Sequence, residues 1–245
     1  MNLENRVALI TGGARIGKAV AKALAERRIN LVLTYHRSKT SAEESAQYAR
    51  SQGCKVLLIK ADLTFPKDIA DIMPKVKKAF GQLDILINMA STFDQKPLLK
   101  LKRNDWDYGL ATNLNHVYHL SMEAAKLMQK NQFGRIINFA DWASISHRPR
   151  YTDLAPYYVG KAGVSAVTEV LALGLAPDIL VNAIAPGPIL APSYLTQEEH
   201  QEVIEATPLK KWGGADEIAK TVLFLVETEF ITGETIRVDG GRHLH

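Results

Sequence analysis

The sequence predicts an α/β protein with a three-layer, doubly wound, Rossmann-like fold, in which helices cover both faces of a seven-stranded parallel sheet. Seven short runs rich in β-branched residues alternate with longer amphipathic stretches. The short runs are apolar on both faces, which is typical of buried parallel strands, and each is followed by a helical pattern. Because 245 residues with 47% hydrophobic content suffice for one core, we expect a single domain over residues 1–245.

The elements follow one another in a regular order along the chain. The predicted strands carry the sequences RVALIT, NLVLTY, KVLLIK, DILIN, GRIINFA, ILVNAIA and TIRVDG. The helical patterns between them cover residues 18–27, 42–51, 67–80, 105–130, 157–175 and 215–226. Ligands of such sheets bind beyond the carboxyl ends of the strands, so the loops that follow the strands are expected to carry function.

Composition limits the compartment and the partners. The net charge of +4 and the pI near 9.0 are mild, and the basic residues are spread along the chain, so no nucleic-acid partner is expected. The single cysteine, Cys54, excludes an internal disulfide, and the N-terminus lacks the pattern of a signal peptide. Prolines and charges interrupt the apolar stretches, so no membrane span is expected. The prediction is a cytoplasmic protein with a small-molecule substrate and no metal site.

A glycine-rich turn, TGGARIG, joins the first strand to the first helix. Gly12 and Gly13 are expected to take positive φ and to let the backbone approach a pyrophosphate, while Gly17 lets the helix N-terminus come close. The usual G-x-G-x-x-G spacing would place a glycine where Ala14 stands. The strand–turn–helix context nevertheless indicates a dinucleotide site, and an ordinary tight turn is the competing interpretation.

The end of the second strand, TYHRS, indicates which dinucleotide is bound. A free ribose 2′-hydroxyl favours Asp or Glu at this place. His36, Arg37 and Ser38 instead offer a cation and donors that suit a 2′-phosphate, which arginine can hold bidentately. We therefore expect NADP(H), although a solvent-facing basic turn would have the same sequence.

Tyr157 and Lys161, in YYVGK, lie four residues apart on a predicted helix and share one face. A lysine cation at that distance lowers the pKa of a phenol from ~10 toward working pH, which lets the tyrosine exchange a proton with a substrate. The pair follows the fifth strand, and TNLN places Asn113 inside the preceding long helix.

Together with INMAS after the fourth strand and NAIAPGPI after the sixth, these motifs make the chain resemble the short-chain dehydrogenase/reductase family over its whole length. The resemblance implies that Tyr157 is the general acid, that Lys161 is its pKa partner and a ribose ligand, and that Asn113 holds a water of the proton relay. It also implies a homotetramer. Asp62 as a helix cap and Asn113 as an exposed polar residue remain open. The implied cofactor contacts are Gly12, Arg15, Ile16, Gly17, His36, Arg37, Ser38, Asp62, Leu63, Asn88, Ala90, Ser91, Tyr157, Lys161, Pro186 and Gly187.

The family usually has a serine just after the fifth strand, and here two residues compete for its place. Strand register puts Asp141 there, whereas counting back from Tyr157 gives Ser144. We favour Asp141, because the strand end fixes where a side chain points and loop length does not.

An aspartate at this position, with TYHRS and NMASTF, resembles the pteridine reductase branch of the family. In that branch Arg15 and Phe93 match substrate-contacting positions, beside Asp141 and Tyr157. A carboxylate near the phenol keeps Tyr157 protonated for reduction. Phe93 as a surface-loop aromatic remains open, and Trp142 could line the site or fill the core. The predicted catalytic set is Asn113, Asp141, Tyr157 and Lys161.

Three functions are therefore weighed. The first is NADPH-dependent reduction of a pterin-like or related C=N or C=O compound. The second is a 3-oxoacyl-[acyl-carrier-protein] reductase or a generic carbonyl reductase, because fold does not fix substrate. The third, motivated by the shortened glycine loop, is an NADP-binding regulator without turnover.

Overall fold

The computed structural model describes residues 2–146, 149 and 151–244. It confirms the predicted fold class: seven parallel strands form one sheet in the order β3-β2-β1-β4-β5-β6-β7. The strand order reverses between β1 and β4, and the crevice of such a sheet opens at this point. The strands are β1 (Val7–Thr11), β2 (Asn30–Tyr35), β3 (Val56–Lys60), β4 (Ile85–Asn88), β5 (Gly134–Phe139), β6 (Ile179–Pro186) and β7 (Thr235–Val238).

Helices cover both faces of the sheet, and two hydrophobic cores result. Alternate residues of β1 point to opposite faces: Ala8 and Ile10 join one core, while Val7 and Leu9 join the other. The helices are α1 (Ile16–Glu26), α2 (Lys39–Ser51), α3 (Pro66–Phe80), α4 (Arg103–Leu110), α5 (His116–Met128), α6 (Trp142–Ile145), α7 (Ala155–Leu175), α8 (Gln197–Glu205) and α9 (Ala215–Glu227).

The structure differs from the sequence prediction in the long helix after β4. The stretch expected to be one helix over 105–130 consists of α4, a π-helical segment (Ala111–Asn115) and α5. The spacing of apolar residues does not reveal this π-helical segment, because a short stretch of i→i+5 hydrogen bonds shifts that spacing only locally. Such segments are frequent at functional sites, and this one contains Asn113.

Two helices were not predicted. The first, α8, starts at a capping box in which the hydroxyl of Thr196 accepts from the backbone N–H of Glu199, and the Glu199 carboxylate accepts from the N–H of Thr196. The sequence TQEE carries that signal. The second, α6, has only four residues and begins after Asp141, whose carboxylate accepts from the N–H of Ala143 at 2.8 Å.

One helix, α7, is long and apolar enough to cross a membrane by length and composition, with a mean hydropathy of 1.2 over its most apolar window. A helix in the core of a soluble protein can have the same length and apolar composition. In this fold α7 packs against β5, β6 and α4, and it buries Lys161 and Thr168. These contacts bury one part of α7, while Val170 and Leu173 remain exposed.

Candidate active site

A cleft of about 960 Å³ opens at the carboxyl ends of the central strands. The glycine turn after β1 forms one side, the segments after β4 and β5 form the floor, and the segment after β6 with α8 forms the other side. Of the predicted residues, those that line this cleft are Gly12, Arg15, Ile16, Ser38, Ser91, Phe93, Asp141, Trp142 and Gly187.

The glycine turn uses its glycines unequally. Gly12 has φ 74°, and a Cβ there would lie 2.8 Å from the backbone N of Ala90. A Cβ at Gly17 would lie 2.6 Å from the carbonyl O of Gly12. The expectation of positive φ at Gly13 is wrong: in this shortened turn the left-handed residue is Arg15, with φ 50°. The turn therefore keeps the bare backbone that close approach of a phosphate requires at Gly12.

The Arg15 side chain reaches across the cleft. Its guanidinium donates to the carbonyl oxygens of Leu190 and Ala191 at 3.0 and 3.4 Å, and so joins the glycine turn to the segment after β6. Ile16, beside it, begins α1 and packs against the core. The roles of Arg15 and Ile16 at a ligand stay predictions.

A second pocket, of about 250 Å³, continues the cleft over the ends of β2 and β3. Nε2 of His36 lies 3.6 Å from the carboxylate of Asp62. Burial raises the pKa of Asp62, but hydrogen bonds from Thr64 and the nearby His36 and Arg37 lower it by more, so the net pKa is below the ordinary value. The predicted residues that line this pocket are Gly12, His36, Arg37, Ser38, Asp62, Leu63, Ala90 and Ser91.

Asp62 is no helix cap. Its carboxylate accepts from the N–H and the hydroxyl of Thr64, while α3 begins after Phe65. Its backbone N–H donates to Asp68 in the first turn of that helix. The carboxylate therefore stays at the rim of the pocket, next to His36 and Arg37.

Asn88 lies beneath the cleft rather than on its surface. Its side chain is 1% exposed and donates to Ser121 at 3.1 Å and to Asn138 at 2.9 Å, which ties β4 to α5 and β5. A neighbouring link joins β1 and β4, because the hydroxyl of Thr11 accepts from the backbone N–H groups of Met89 and Ala90. These contacts fix the position of Ala90 against the glycine turn.

Tyr157 and Asp141 are in direct contact: Asp141 lines the cleft, and Tyr157 lines an adjacent pocket of about 380 Å³ together with Asn113. The Tyr157 hydroxyl donates to Oδ2 of Asp141 at 2.9 Å, while Oδ1 of the same carboxylate accepts from the N–H of Ala143. Ser144 is buried, and its hydroxyl donates to the backbone oxygen of Asp141. Of the two candidates for the serine position, Asp141 is therefore the one whose side chain contacts Tyr157.

The Asp141 carboxyl and the Tyr157 phenol shift each other's pKa, so that an ionised carboxylate lies beside a neutral phenol. Burial raises the pKa of Asp141, and hydrogen bonds from Tyr157 and Ala143 oppose that effect only in part. Burial, followed by the charge and hydrogen bond of Asp141, raises the pKa of Tyr157 well above its ordinary value of 10.0. The pKa of this phenol is raised and not lowered, so the expectation that Lys161 brings it toward working pH is wrong in this structure, in which burial and the adjacent carboxylate are the main causes.

Lys161 is 3% exposed and donates from Nζ to the carbonyl oxygen of Phe139 at 2.6 Å. Its Nζ lies 6.0 Å from the centre of the Tyr157 ring. Burial lowers the pKa of Lys161 to about 8, although the charge of Asp141 acts in the opposite direction. The lysine thus keeps its charge at pH 7 by a small margin.

Asn113 is buried, which excludes the interpretation as an exposed polar residue. Its amide donates to the carbonyl of Gly109 at 2.9 Å, and its oxygen accepts from the N–H of Thr92 at 3.3 Å. A Cβ at Gly160 would lie 2.9 Å from the Asn113 Cβ, so the π segment and α7 are in close contact here. The predicted contact of Asn113 with a relay water stays a prediction.

Aromatic rings border the Tyr157 hydroxyl. Phe93 is 46% exposed and meets Tyr157 edge-on at 4.9 Å and Tyr151 edge-on at 6.1 Å between ring centres. Trp142 is 6% exposed yet lines the cleft, with the guanidinium of Arg242 at 5.7 Å from its ring. Sequence reasoning missed Tyr151 and Arg242, because they come from a loop and from the C-terminus and belong to no motif.

Pro186 ends β6, and Gly187 follows it beside the cleft. A Cβ at Gly187 would lie 2.5 Å from the Cβ of Asp239, and the Gly187 N–H donates to the carbonyl of Val238. The glycine therefore lets the end of β6 approach the end of β7, and this close packing positions the segment that borders the site.

The residues present fit a dinucleotide. Gly12 and Gly17 let the turn pack closely on neighbouring backbone, a Cβ at Gly13 would meet no described heavy atom within 4 Å, and Arg37 supplies positive charge at the far end. Within residues 2–146, 149 and 151–244, no group of three His, Cys, Asp or Glu side chains could hold a metal ion.

Comparisons with known proteins agree on the kind of protein. A family model described as enoyl-(acyl carrier protein) reductase matches residues 13–243. The 3-oxoacyl-[acyl-carrier-protein] reductase FabG of Escherichia coli K12 is 33% identical over 250 residues, covering 100% of both chains. A short-chain dehydrogenase/reductase from Serratia marcescens superposes with a TM-score of 0.91 at 31% identity, covering 99% of this chain and 100% of the other. FolM alternative dihydrofolate reductase 1 from Brucella canis, complexed with NADP, gives 0.91 at 30% identity, covering 100% and 96%.

Proposed function

Because this chain belongs to the short-chain dehydrogenase/reductase family of nicotinamide-dependent oxidoreductases, we propose that it is an NADPH-dependent reductase of a flat, nitrogen-rich ring of the pterin type, acting on a C=N or C=O bond. The observation that carries the proposal is the hydrogen bond from the Tyr157 hydroxyl to Asp141. The bound nicotinamide supplies a hydride, and the protein's own residues hold the ring and supply the proton.

Tyr157 supplies the proton. Its raised pKa keeps the phenol protonated at neutral pH, which suits a general acid in a reduction. A dehydrogenase working in the opposite direction would need the phenolate, and the buried carboxylate of Asp141 disfavours it. The pair therefore favours reduction over oxidation.

Asp141 also recognises the ring. A carboxylate oxygen has two lone-pair directions, so Oδ2 can accept an N–H of a substrate in addition to the Tyr157 hydroxyl. A serine at this position would offer a donor as well as an acceptor and would suit a simple carbonyl. The carboxylate thus selects a substrate that presents N–H groups beside the bond to be reduced.

Phe93 and Arg15 hold the ring from two other sides. The exposed Phe93 ring borders Tyr157 and offers a face for stacking, which contributes roughly 0.5–1.5 kcal/mol beyond burial of area. The guanidinium of Arg15 crosses the same cleft and can donate to a ring oxygen. The NADP-bound FolM structure, whose name describes a dihydrofolate reductase, supports a substrate with such a ring.

NADPH is proposed over NADH because of the charges at the far end of the cleft. Arg37 and His36 lie in the pocket after β2, where Asp or Glu would bind a free 2′-hydroxyl. Asp62 lies on the neighbouring strand end and is already engaged by Thr64. A 2′-phosphate would meet the guanidinium of Arg37 and the ring of His36 there.

A second candidate is reduction of a 3-oxoacyl thioester. It is favoured by the FabG relatives, which are 32–33% identical over at least 97% of this chain. The carboxylate of Asp141, which contacts Tyr157, disfavours this candidate, because an acyl chain has no N–H group to donate to it.

The two candidates are separated by steady-state assays with NADPH. The wild-type protein is expected to reduce dihydrobiopterin, and Asp141→Ser is expected to lose most of that activity while keeping or improving reduction of a simple ketone. If the wild type reduces acetoacetyl thioesters well and dihydrobiopterin not at all, the second candidate replaces the first. NADPH binding without turnover on either compound would indicate a regulator.

A further inference from the structure

His116, the first residue of α5, is a buried polar side chain to which the proposed mechanism gives no task. It is 0% exposed, and its Nε2 has no hydrogen-bond partner among the described residues. A buried polar atom without a partner costs about 1–3 kcal/mol, so such atoms in native proteins call for a specific explanation, often an ordered water.

The other ring nitrogen fixes which kind of partner Nε2 requires. Nδ1 lies 3.3 Å from the carbonyl oxygen of Ala111 in the π segment. A carbonyl can only accept, so Nδ1 carries the proton and donates. Burial and the charge of Lys161 lower the pKa of His116 to about 4, so the ring is neutral at pH 7. Nε2 is therefore an acceptor that needs a donor.

The packing of the π segment and α5 on α7 places His116 next to Lys161. Asn113 contacts Gly160 and Leu114 contacts Gly163, since a Cβ at either glycine would lie 2.9 Å from its neighbour. One turn further, Val117 and Val164 share a hydrophobic cluster. His116 lies between these contacts, level with the turn of α7 that carries Lys161, and its pKa responds to the lysine charge.

We propose that His116 is a positioning residue for Lys161, and that its Nε2 accepts a hydrogen bond from a buried water whose oxygen accepts one from the Lys161 ammonium. The ammonium has N–H groups to donate besides the one directed at the carbonyl of Phe139. The water donates one O–H to Nε2 and uses a lone pair for Nζ, so both buried groups gain a partner without any transfer of charge.

The consequence is a lysine that stays charged. The ionisable groups that face Lys161 are Asp141 at the start of α6, Tyr157 on its own helix and His116 on α5. Asp141 favours the ammonium by its charge, and the oriented water favours it by partly restoring solvation. Without the acceptor at His116 the water would lose its orientation, and burial would lower the pKa of Lys161 with less opposition.

The first test measures the protonation of Lys161 directly, by NMR of the full-length protein with labelled lysine, using Lys161→Arg to assign the signal. His116→Leu keeps an apolar side chain of similar size but removes the acceptor, and it is expected to lower the pKa of Lys161 by about one unit. His116→Gln returns an acceptor and is expected to restore the wild-type value. His119→Leu, at an exposed histidine of the same helix, is the matched control and should change nothing.

The inference is overturned if His116→Leu leaves the pKa of Lys161 unchanged, or if His116→Gln behaves like His116→Leu. Should His116→Leu fail to fold, the imidazole nitrogen signals of the wild type decide the question. A proton on Nδ1 and a hydrogen-bonded, unprotonated Nε2 support the inference, and a proton on Nε2 refutes it.

The role of His116 can also be tested by enzyme kinetics, and only this second test rests on the proposed function. There, the alkaline limb of the pH profile of kcat for NADPH-dependent reduction should move to lower pH in His116→Leu and return in His116→Gln. If the wild type reduces none of the compounds offered, the proposed function fails while the NMR measurement still decides the role of His116.

Discussion

The two ends of the cleft use charge in opposite ways. At the pocket after β2, His36 and Asp62 face each other at 3.6 Å with side chains 47% and 24% exposed. At the other end Lys161 is buried and Asp141 and Tyr157 are half-buried; Tyr157 donates to Asp141 at 2.9 Å, and Lys161 donates to the carbonyl of Phe139 at 2.6 Å. Water screens charges at the first end, while burial strengthens every interaction at the second. The exposed end is therefore suited to selecting a ligand, and the buried end to fixing a protonation state.

The sharpest contrast is expected when the buried end loses its proton donor. Tyr157→Phe removes the hydroxyl and keeps the ring against Phe93, so kcat should fall ~10²–10⁴-fold, the usual contribution of a general acid. NADPH binding, measured by fluorescence quenching, should change little. Tyr158→Phe is the matched control and should keep its activity; greater damage from that change would mean that Tyr158 is the proton donor.

The glycine turn lies between the two ends and offers a test of stability. Gly12→Ala places a Cβ 2.8 Å from the backbone of Ala90 at φ 74°, and it should lower the free energy of unfolding by about 1–3 kcal/mol. A Cβ at Gly13 would meet no described heavy atom within 4 Å, so Gly13→Ala is the control. Urea unfolding measures both. Equal losses in the two variants would contradict the placement of the strain at Gly12.

At the exposed end a smaller effect is expected. Arg37→Ala removes a charge-assisted contact to a 2′-phosphate that water partly screens, so NADPH affinity should fall about tenfold while NADH affinity barely changes. Lys39→Ala, at a neighbouring exposed cation paired with Glu43, is the control for net charge. Equal weakening toward both cofactors in titration calorimetry would show that Arg37 does not distinguish them.

The smallest effect is expected from a substitution that removes only the charge of Asp141 in its pair with Tyr157. In Asp141→Asn the negative charge that raises the pKa of both Lys161 and Tyr157 is gone, so the alkaline limb of kcat against pH should move to lower pH. Stability gives an independent reading. Burial holds the pKa of Asp141 above 3.8 in the folded protein, so wild-type stability decreases as the pH rises from 3.8 through the folded-state pKa. Asp141→Asn should lack that decrease in thermal melts, and an unchanged pH dependence would contradict the raised pKa.

The local part of the site could be predicted from the sequence. Spacing put Tyr157 and Lys161 on one helical face, strand register put Asp141 at the end of β5, and the glycine turn was recognised by its strand and helix. Each inference concerns residues whose relation is set by a helix or strand period. The capping box before α8 was also readable, since Thr196 and Glu199 lie within one turn.

Tertiary structure decided what depends on residues distant in the chain. The pKa of Tyr157 is raised by burial and by the carboxylate of Asp141, which lies 16 positions away in the chain. Neither effect can be predicted from the composition. The contacts of the π segment with α7, in which Asn113 lies against Gly160 and Leu114 against Gly163, join residues that are far apart in the chain. The sequence by itself determined the fold class and the elements that carry the site, because short-range periodicity specifies them. The fold decided which side chains meet in a buried space, because desolvation and long-range contacts exist only once the chain has packed.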